Sequence, residues 1–516
     1  MRELLIGIDS GTQSTKALVV DANRGRVLGF GLVKYGLIPN LPPGAKEQHP
    51  ETWRKAALGA MIAALKMAHA SAREVKAIGV SGQQHGFVPM DGNGNVIRPA
   101  KLWCDTSTSA ECEILTNSLG GPKKTIQRLG NAVVPGFTAS KILWLKRHEP
   151  ENFGRLATIL LPHDYLNFWL TGERIMEYGD ASGTALLDVR RRRWCSAAIT
   201  AIDSELMGKL PQVIASDRPA GLLSHITAKE LGLNPGVIVS AGGGDNMMGA
   251  IGTGNTRPGI VTASFGTSGT IYACAAKPVV DPLGEVAAFC DSTNRWLPLL
   301  CTMNVTVATE MVRKDFDLSL AAFDQLAAKA PPGSEGLFML PYLGGERTPN
   351  LPSGTGVYLG INSNTFTAHH FARATMEGVT LGMNYGLRRL AQLGVSAKQI
   401  RVTGGGAKSK IWRQIMADIF NTEIVSLVVD EGAAYGAALQ ALWCWKLQSG
   451  ERIRIEEITD SFVKLDPKQT AGPTAANVRL YSELQSLQDG ASSSLRSVFD
   501  RHRRFVSENQ LPSRKY

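Results

Sequence analysis

The stretch Ser240-Ala-Gly-Gly-Gly-Asp-Asn-Met-Met-Gly249 places one carboxylate, Asp245, and one carboxamide, Asn246, directly after three glycines. A short apolar strand, Val237-Ile-Val-Ser240, leads into it and a helix of small residues leads away. Three glycines let the backbone turn sharply and approach a ligand closely. A carboxylate at such a strand-to-helix switch, near the middle of a 516-residue chain, could serve as a general base between two domains. It could equally be a helix N-cap, since aspartate is favoured there and glycine turns often precede helices.

A second stretch, Asp9-Ser-Gly-Thr-Gln-Ser-Thr-Lys16, joins two apolar strands. Backbone N–H groups in a turn around Gly11 form a concave anion site. Thr12, Ser14 and Thr15 add hydroxyls and Lys16 adds a positive charge. Asp9 cannot meet a phosphate directly, but it can hold a magnesium ion, through water, that bridges to one. An ordinary polar hairpin tip would look the same. The pattern returns in Gly259-Ile-Val-Thr-Ala-Ser-Phe-Gly-Thr-Ser-Gly-Thr-Ile-Tyr272. One such turn per half suggests duplicated domains gripping one polyphosphate.

Other candidates follow strands. Ser81-Gly-Gln-Gln-His-Gly86 offers Gln84 and His85 for hydrogen bonding to a polyhydroxylated ligand, or a satisfied loop histidine. Leu102-Trp-Cys-Asp-Thr106 sets Trp103 beside Asp105, a pair suited to stacking on and hydrogen bonding a sugar, unless Trp103 is core. Gly404-Gly-Gly-Ala-Lys-Ser409 is a candidate nucleotide cradle.

The elements that must carry these residues read as alternating strands and helices. Strands are expected at 4–8, 17–20, 26–30, 75–80, 237–240 and 400–403. Helices are expected from Pro50 to Leu65, around 142–145, from Phe371 to Leu390, through Trp412, Ile415, Met416 and Ile419, and from Gly436 to Trp445. Two nucleotide folds are excluded. The Gly208-Lys209 pair runs into Leu210, so there is no Walker A loop, and no G-x-G-x-x-G fingerprint is present.

Composition is globular, with 44% hydrophobic and 19% charged residues. The N-terminus lacks a signal-peptide layout and no apolar run is long enough to span a bilayer. Seven cysteines without CxxC pairs read as reduced thiols of a cytoplasmic protein. The net charge of +10 is partly local, in Arg190 to Arg193 and in a tail with Arg501, Arg503, Arg504, Arg514 and Lys515. Without a nucleic-acid motif this reads as a solvated loop and tail, not a nucleic-acid face. A mild positive field also attracts nucleotides and sugar phosphates.

These motifs together resemble the FGGY carbohydrate kinases, over Leu4 to about Leu447. Gly7-Ile-Asp-Ser-Gly-Thr12 looks like the family's first phosphate loop. Gly136-Phe-Thr-Ala-Ser-Lys-Ile-Leu-Trp-Leu-Lys-Arg-His148 fits its first signature, and Gly356-Val-Tyr-Leu-Gly-Ile361 with His370-Phe-Ala-Arg-Ala-Thr-Met-Glu377 the second. Gly243-Gly-Asp-Asn246, Phe265-Gly-Thr-Ser-Gly269, Gly345-Glu-Arg-Thr-Pro349 and Gly404-Gly-Gly-Ala-Lys408 fit the rest. The resemblance implies an α/β protein of two actin-like, ribonuclease-H-like domains with ATP and sugar in the cleft between. The expected division is 1–247 for the sugar-binding domain, 248–450 for the nucleotide-binding domain and 451–516 for a helical appendage and basic tail.

Carried over by residue, the resemblance makes Asp245 the base for the sugar hydroxyl and gives the sugar to Gln84, His85, Trp103, Asp105 and Asn246. Asp9 organises magnesium. Gly11, Thr12, Ser14 and Lys16 bind phosphates, with Gly266 and Thr267 at the transferred group and Gly405, Gly406 and Lys408 at the nucleotide. The branch most resembled phosphorylates D-xylulose on its 5-hydroxyl using ATP and Mg2+. Gln84, and Cys-Asp-Thr-Ser-Thr108 downstream, depart from the bacterial pattern of that branch. Kinases for D-ribulose, L-xylulose or L-ribulose remain alternatives, as does an actin- or Hsp70-like ATP-dependent binding protein. Homodimers are common in the resembling family.

Overall fold

The computed structural model describes residues 2–429 and 432–509. The chain forms two compact units, and neither is one continuous stretch. The first comprises Met1–Pro258, Cys274–Pro298 and Glu431–Lys464; the second comprises Gly259–Ala273, Leu299–Asp430 and Leu465–Tyr516. Compactness therefore divides the chain differently from the linear order expected at 247 and 450. The reason lies in the helix Gly432–Gln448, which packs on the strands Leu4–Ser10 and Val75–Gly82 of the first unit. No side chain separates them: a Cβ on Gly7 would come within 2.0 Å of the Ala434 carbonyl, and one on Gly79 within 2.0 Å of the Ala437 carbonyl.

The sheet of the first unit runs, from one edge, Val27–Lys34, Ser14–Asp21, Leu4–Ser10, Val75–Gly82, Ile238–Ser240 and Pro219–Leu222, with Gly243–Gly244 also paired to Val75–Gly82. The first three strands form an antiparallel meander. Leu4–Ser10 then pairs in parallel with Val75–Gly82, which pairs in parallel with Ile238–Ser240, and the last strand is antiparallel. The central strands are near-continuous apolar runs because both faces are covered. The helix Pro50–Met67 starts with proline at its first position and buries Trp53, Ala57, Ala60, Met61 and Ala64 against the sheet core.

The second unit repeats this pairing strand for strand. Residues 299–302 pair antiparallel with Gly269–Ala273, which pairs antiparallel with Ile260–Phe265. Gln399–Thr403 and Glu423–Leu427 follow in parallel, and Leu465–Ala471 closes the edge antiparallel. The echo between the two glycine–hydroxyl turns is thus an echo between two whole sheets. Leu465–Ala471 corrects the expectation of a purely helical appendage: it contains Pro467, which an edge strand tolerates because one side makes no ladder. A long helix, Ala475–Glu508, follows it.

The arginine run is more than a solvated loop. Arg190 donates to the Gln127 and Ile126 carbonyls at 3.0 and 3.4 Å, near the end of the helix Pro122–Leu129. Arg192 lies 4.2 Å from the Trp296 ring and donates to the Asn294 carbonyl at 2.6 Å. Arg191 and Arg193 are exposed. Of the basic tail, Arg501, Arg503 and Arg504 are exposed on the last helix, whereas Arg514 and Lys515 lie outside the described residues. All seven cysteines are free thiols. Among the described residues, no helix is long and apolar enough to cross a membrane.

Candidate active site

The glycine turn emerges from Ile238–Ser240 and ends as the helix Asp245–Gly252. Gly242 has φ +73°, a conformation costly for other residues. Gly243 and Gly244 run in parallel beside Ser81 and Gly82. Side chains are excluded here: a Cβ on Gly243 would lie 2.3 Å from Ser292 Oγ, and one on Gly244 2.6 Å from Gln84 Cγ. Gly244 is the N-cap, so Asp245 stands in the first helical turn and does not cap it. Asp245 Oδ1 accepts the Asn246 backbone N–H at 2.8 Å and the Asn246 side-chain amide at 3.0 Å. Burial, and next the negative charge of Asp9, push the Asp245 carboxyl up to about 7. A carboxyl held near neutrality suits a group that must accept a proton at ordinary pH.

Asp9 sits near the end of Leu4–Ser10, opposite Lys16 on one side and Ser81 on the other. Ser81 donates its hydroxyl proton to Asp9 Oδ1 at 2.9 Å. A carboxylate whose proton affinity is raised by a second carboxylate nearby, as that of Asp245 is by Asp9, is in an environment that a divalent cation relieves. Magnesium is commonly held by one or two carboxylates plus substrate phosphates and water, so Asp9 and Asp245 fit it. Among the described residues no cluster of three or more His, Cys, Asp or Glu forms a protein-only cage.

The turn after Asp9 is closed by Gly11 N–H donating to the Ser14 carbonyl at 3.0 Å. Its hydroxyls are more committed than their types suggest. Thr12 gives its proton to Gln83 Oε1 and accepts the Trp103 indole N–H, both at 3.0 Å. In this arrangement Thr12 does not offer a proton to a phosphate. Thr15 is buried in a hydroxyl cluster with Ser10 and Tyr35, each at 3.0 Å from it. Gly11, Ser14 and Lys16 are half-buried.

In the expected sugar loop, Gln84 accepts the Asn246 amide at 2.8 Å, so Gln84, Asn246 and Asp245 form one line. His85 has φ +62°, the left-handed region, and its ring packs on Phe137 and Phe289 at 4.7 and 5.4 Å. Trp103 is half-buried. Asp105 departs from expectation. It is fully buried, and its two oxygens receive Lys46 N, Lys101 Nζ, Ser107 N and Ser107 Oγ at 2.8, 3.3, 2.9 and 2.6 Å. Four donors fill a carboxylate's capacity, so Asp105 braces the loop instead of reaching out of it.

In the second unit, the strands Ile260–Phe265 and Gly269–Ala273 present Gly266 and Thr267 at their turn. Thr267 is exposed. Its carbonyl accepts the Val305 N–H at 3.0 Å, and that of Gly266 accepts Thr306 N–H at 2.9 Å, which fixes the turn. Gly404 has φ +88°, and a Cβ there would strike the Phe265 carbonyl at 2.7 Å. Gly405 is exposed with open space where a Cβ would point, and Lys408 is exposed. Gly406 is different: it is buried between Phe265 and Trp412, so packing accounts for it.

Sequence reading missed the residues that tension these loops. Lys141, fully buried, donates to the His85 carbonyl at 2.8 Å and the Gly136 carbonyl at 2.6 Å. Burial lowers its pKa to about 7. Gln48 donates to the Thr12 carbonyl at 2.7 Å, and Gln83 donates to Gln48 at 3.0 Å. The available signal was polar residues inside apolar surroundings, as with Lys141 between Ala139 and Ile142. Beneath the loops, His163 lies between Asp164 and Asp180 at 2.9 and 2.8 Å. Burial opposes its charge, but the two carboxylates outweigh that and hold its pKa well above the usual histidine value.

Comparison with known proteins agrees with this layout. Residues 4–252 match the N-terminal domain of the FGGY family of carbohydrate kinases and residues 261–445 match its C-terminal domain. The chain is 43% identical over 484 residues to a xylulose kinase of Haemophilus influenzae, covering 93% of this chain and 97% of the relative. It is 36% identical over 490 residues to a xylulose kinase of Bacillus subtilis, covering 94% and 95%. A solved xylulose kinase structure from Rhodospirillum rubrum superposes with a TM-score of 0.87 at 26% identity, covering 96% of this chain and all of that one. The duplicated sheets, the two glycine–hydroxyl turns and the full-length similarity agree: this chain belongs to the FGGY family of carbohydrate kinases.

Proposed function

We propose that this protein transfers the γ-phosphoryl group of ATP to the 5-hydroxyl of D-xylulose, giving D-xylulose 5-phosphate and ADP. The observation that carries the chemistry is the Asp245 carboxyl at the end of the glycine turn, held near neutrality by burial and by Asp9. The choice of sugar is supported by the xylulose kinases that the chain resembles over nearly its whole length.

In this reading His85, Gln84, Asn246 and Trp103 hold the sugar, while Asp105 and Lys141 brace the loops that carry them. Asp245 accepts the proton of the 5-hydroxyl as that oxygen bonds to the γ-phosphorus and the bond to the ADP oxygen breaks. Asp9 and Asp245 are the carboxylates that would hold magnesium, which would neutralise phosphate charge. On the second unit, Gly266, Thr267, Gly405 and Lys408 are the residues read as binding phosphate and nucleotide. Most of the rate comes from positioning and from fixed dipoles, because phosphoryl transfer asks little covalent chemistry of the protein. A kinase for another pentulose is the second reading, favoured by Gln84 and the loop after Trp103. An ATP-dependent binding protein without sugar transfer is set aside by the family.

The test is sugar-dependent ADP release from magnesium-ATP, comparing kcat/KM for D-xylulose, D-ribulose, L-xylulose, L-ribulose and glycerol. D-Xylulose is expected to lead. A lead for another pentulose moves the specificity to the second reading and leaves the role of Asp245 intact.

A further inference from the structure

Gln440 is the one carboxamide in the buried run 434–444 of the helix Gly432–Gln448, and its side chain is fully buried. Its Oε1 accepts the Ser240 hydroxyl at 3.0 Å and the Gly242 N–H at 2.9 Å. Its Nε2 donates to the Gly242 carbonyl at 3.0 Å and to the Ser216 carbonyl at 3.2 Å. A carboxamide has two acceptor sites and two protons, and all four are used. Nε2 also makes a longer contact with the Ser292 carbonyl at 3.5 Å, so three of the five bonds grip Ser240 and Gly242.

The preceding peptide groups have other partners, since Ala241 N–H donates to the Arg218 carbonyl at 3.1 Å and the Ala241 carbonyl accepts the Asn167 amide at 2.8 Å, whereas both the N–H and the carbonyl of Gly242 are held by Gln440. The ladder with Ser81 and Gly82 begins only at Gly243. Gly242 has no side chain and adopts φ +73°, so neither rotamer packing nor backbone preference selects its conformation. Asp245 stands three residues later, and an error of about 1 Å in a catalytic group costs about a hundred-fold in rate.

We propose that Gln440 is a positioning residue for phosphoryl transfer: from a helix of the same unit it fixes the Gly242 peptide and thereby sets where the Asp245 carboxylate stands. The proposal rests on the reading of Asp245 as the base. Gln440 touches no substrate in this scheme, so its signature is a loss in kcat with substrate binding retained.

The experiment compares Gln440→Met, Gln440→Glu, Asp245→Asn and Thr459→Val for kcat, for KM of D-xylulose and of ATP, and for melting temperature. Thr459 shares a buried hydroxyl pair with Thr256 at 3.0 Å in the same unit, away from the turn, and serves as a control for lost stability. Gln440→Met is expected to lower kcat at least thirty-fold with both KM values within three-fold of wild type. Thr459→Val is expected to melt earlier with kcat unchanged. Should Gln440→Met fail to fold, Gln440→Glu, which retains the acceptor and loses the donated pair, carries the same expectation. A folded Gln440 variant with kcat within three-fold of wild type overturns the proposal, as does a kcat loss that Thr459→Val reproduces. An inactive Asp245→Asn beside an active Gln440 variant overturns this proposal alone. An Asp245→Asn variant with near-normal turnover overturns the assignment of the base and this proposal with it.

Discussion

Trp103 donates its indole N–H to Thr12 Oγ1 at 3.0 Å, and Thr12 passes its own proton to Gln83 at the same distance. One hydroxyl therefore ties the loop read as sugar-binding to the turn read as phosphate-binding. Thr12→Val keeps the shape and removes both bonds. It is expected to raise KM for sugar and for ATP together, each about five- to ten-fold, on the scale of about 1–1.5 kcal/mol for a hydrogen bond. Steady-state kinetics with each substrate varied in turn checks this. A rise confined to ATP would mean that the hydroxyl serves the phosphate alone.

Asp245 must be ionised to act as a base, and its carboxyl sits at about 7 because of burial and of Asp9. The rate kcat/KM is expected to fall ten-fold per pH unit below that value, with magnesium shifting the limb to lower pH. Asp245→Asn should lose about 10²–10⁴-fold in kcat, the usual share of a general base, while nucleotide binding persists. Nucleotide titration and a pH–rate profile together check both statements.

The raised pKa of Asp245 also has a cost to stability. An unfolded aspartate ionises near 3.8, whereas folded Asp245 holds its proton up to about 7. The folded state thus binds more protons between those values, and this group's contribution to stability declines as pH rises through that window. A tenfold difference in proton affinity between the folded and unfolded chain corresponds to about 1.4 kcal/mol. Asp245→Asn is therefore expected to stabilise the magnesium-free protein at pH 8 by about 1–3 kcal/mol, and to do little at pH 4. Denaturant unfolding in EDTA at the two pH values decides it. Equal effects at both would mean that Asp245 ionises in the folded chain as it does in the unfolded one.

Lys141 holds the His85 carbonyl from beneath, where His85 adopts a left-handed backbone. Lys141→Met should release that conformation and raise KM for sugar about ten-fold with KM for ATP within two-fold. Equal changes for both substrates would point to general loosening instead.

Asp105 has all its acceptor capacity filled by Lys46, Lys101 and Ser107. Asp105→Asn leaves the buried Lys101 with one fewer counter-charge and should cost about 3 kcal/mol of stability, with kcat/KM per folded molecule within three-fold. A ten-fold rise in sugar KM without loss of stability would return Asp105 to the sugar.

Much of this was legible in the residues themselves. The strands 4–8, 75–80 and 400–403, the helix begun by Pro50 and the glycine turns before Thr12, Asp245 and Thr267 are local signals: apolar runs, a proline at a helix start, residues that alone tolerate tight turns. The echo between the two glycine–hydroxyl turns pointed to duplicated units for the same reason. Membership of the helix Gly432–Gln448 in the first unit was not legible, because its register depends on glycines at 7 and 79 that must first be brought to it.

Residue types alone set the chemistry available at each turn: a carboxylate pair, hydroxyls and open backbone amides. Which of those groups are already committed follows from contacts that form on folding. Asp105 is filled by Lys46, 59 residues away; Thr12 is engaged by Trp103, 91 residues away; the base turn is gripped by Gln440, 200 residues beyond Ser240. A side chain's donors and acceptors are fixed by its type, but whether they are spent depends on partners that folding alone brings within about 3 Å, and an ionisation constant depends on the burial and the charges that come with them.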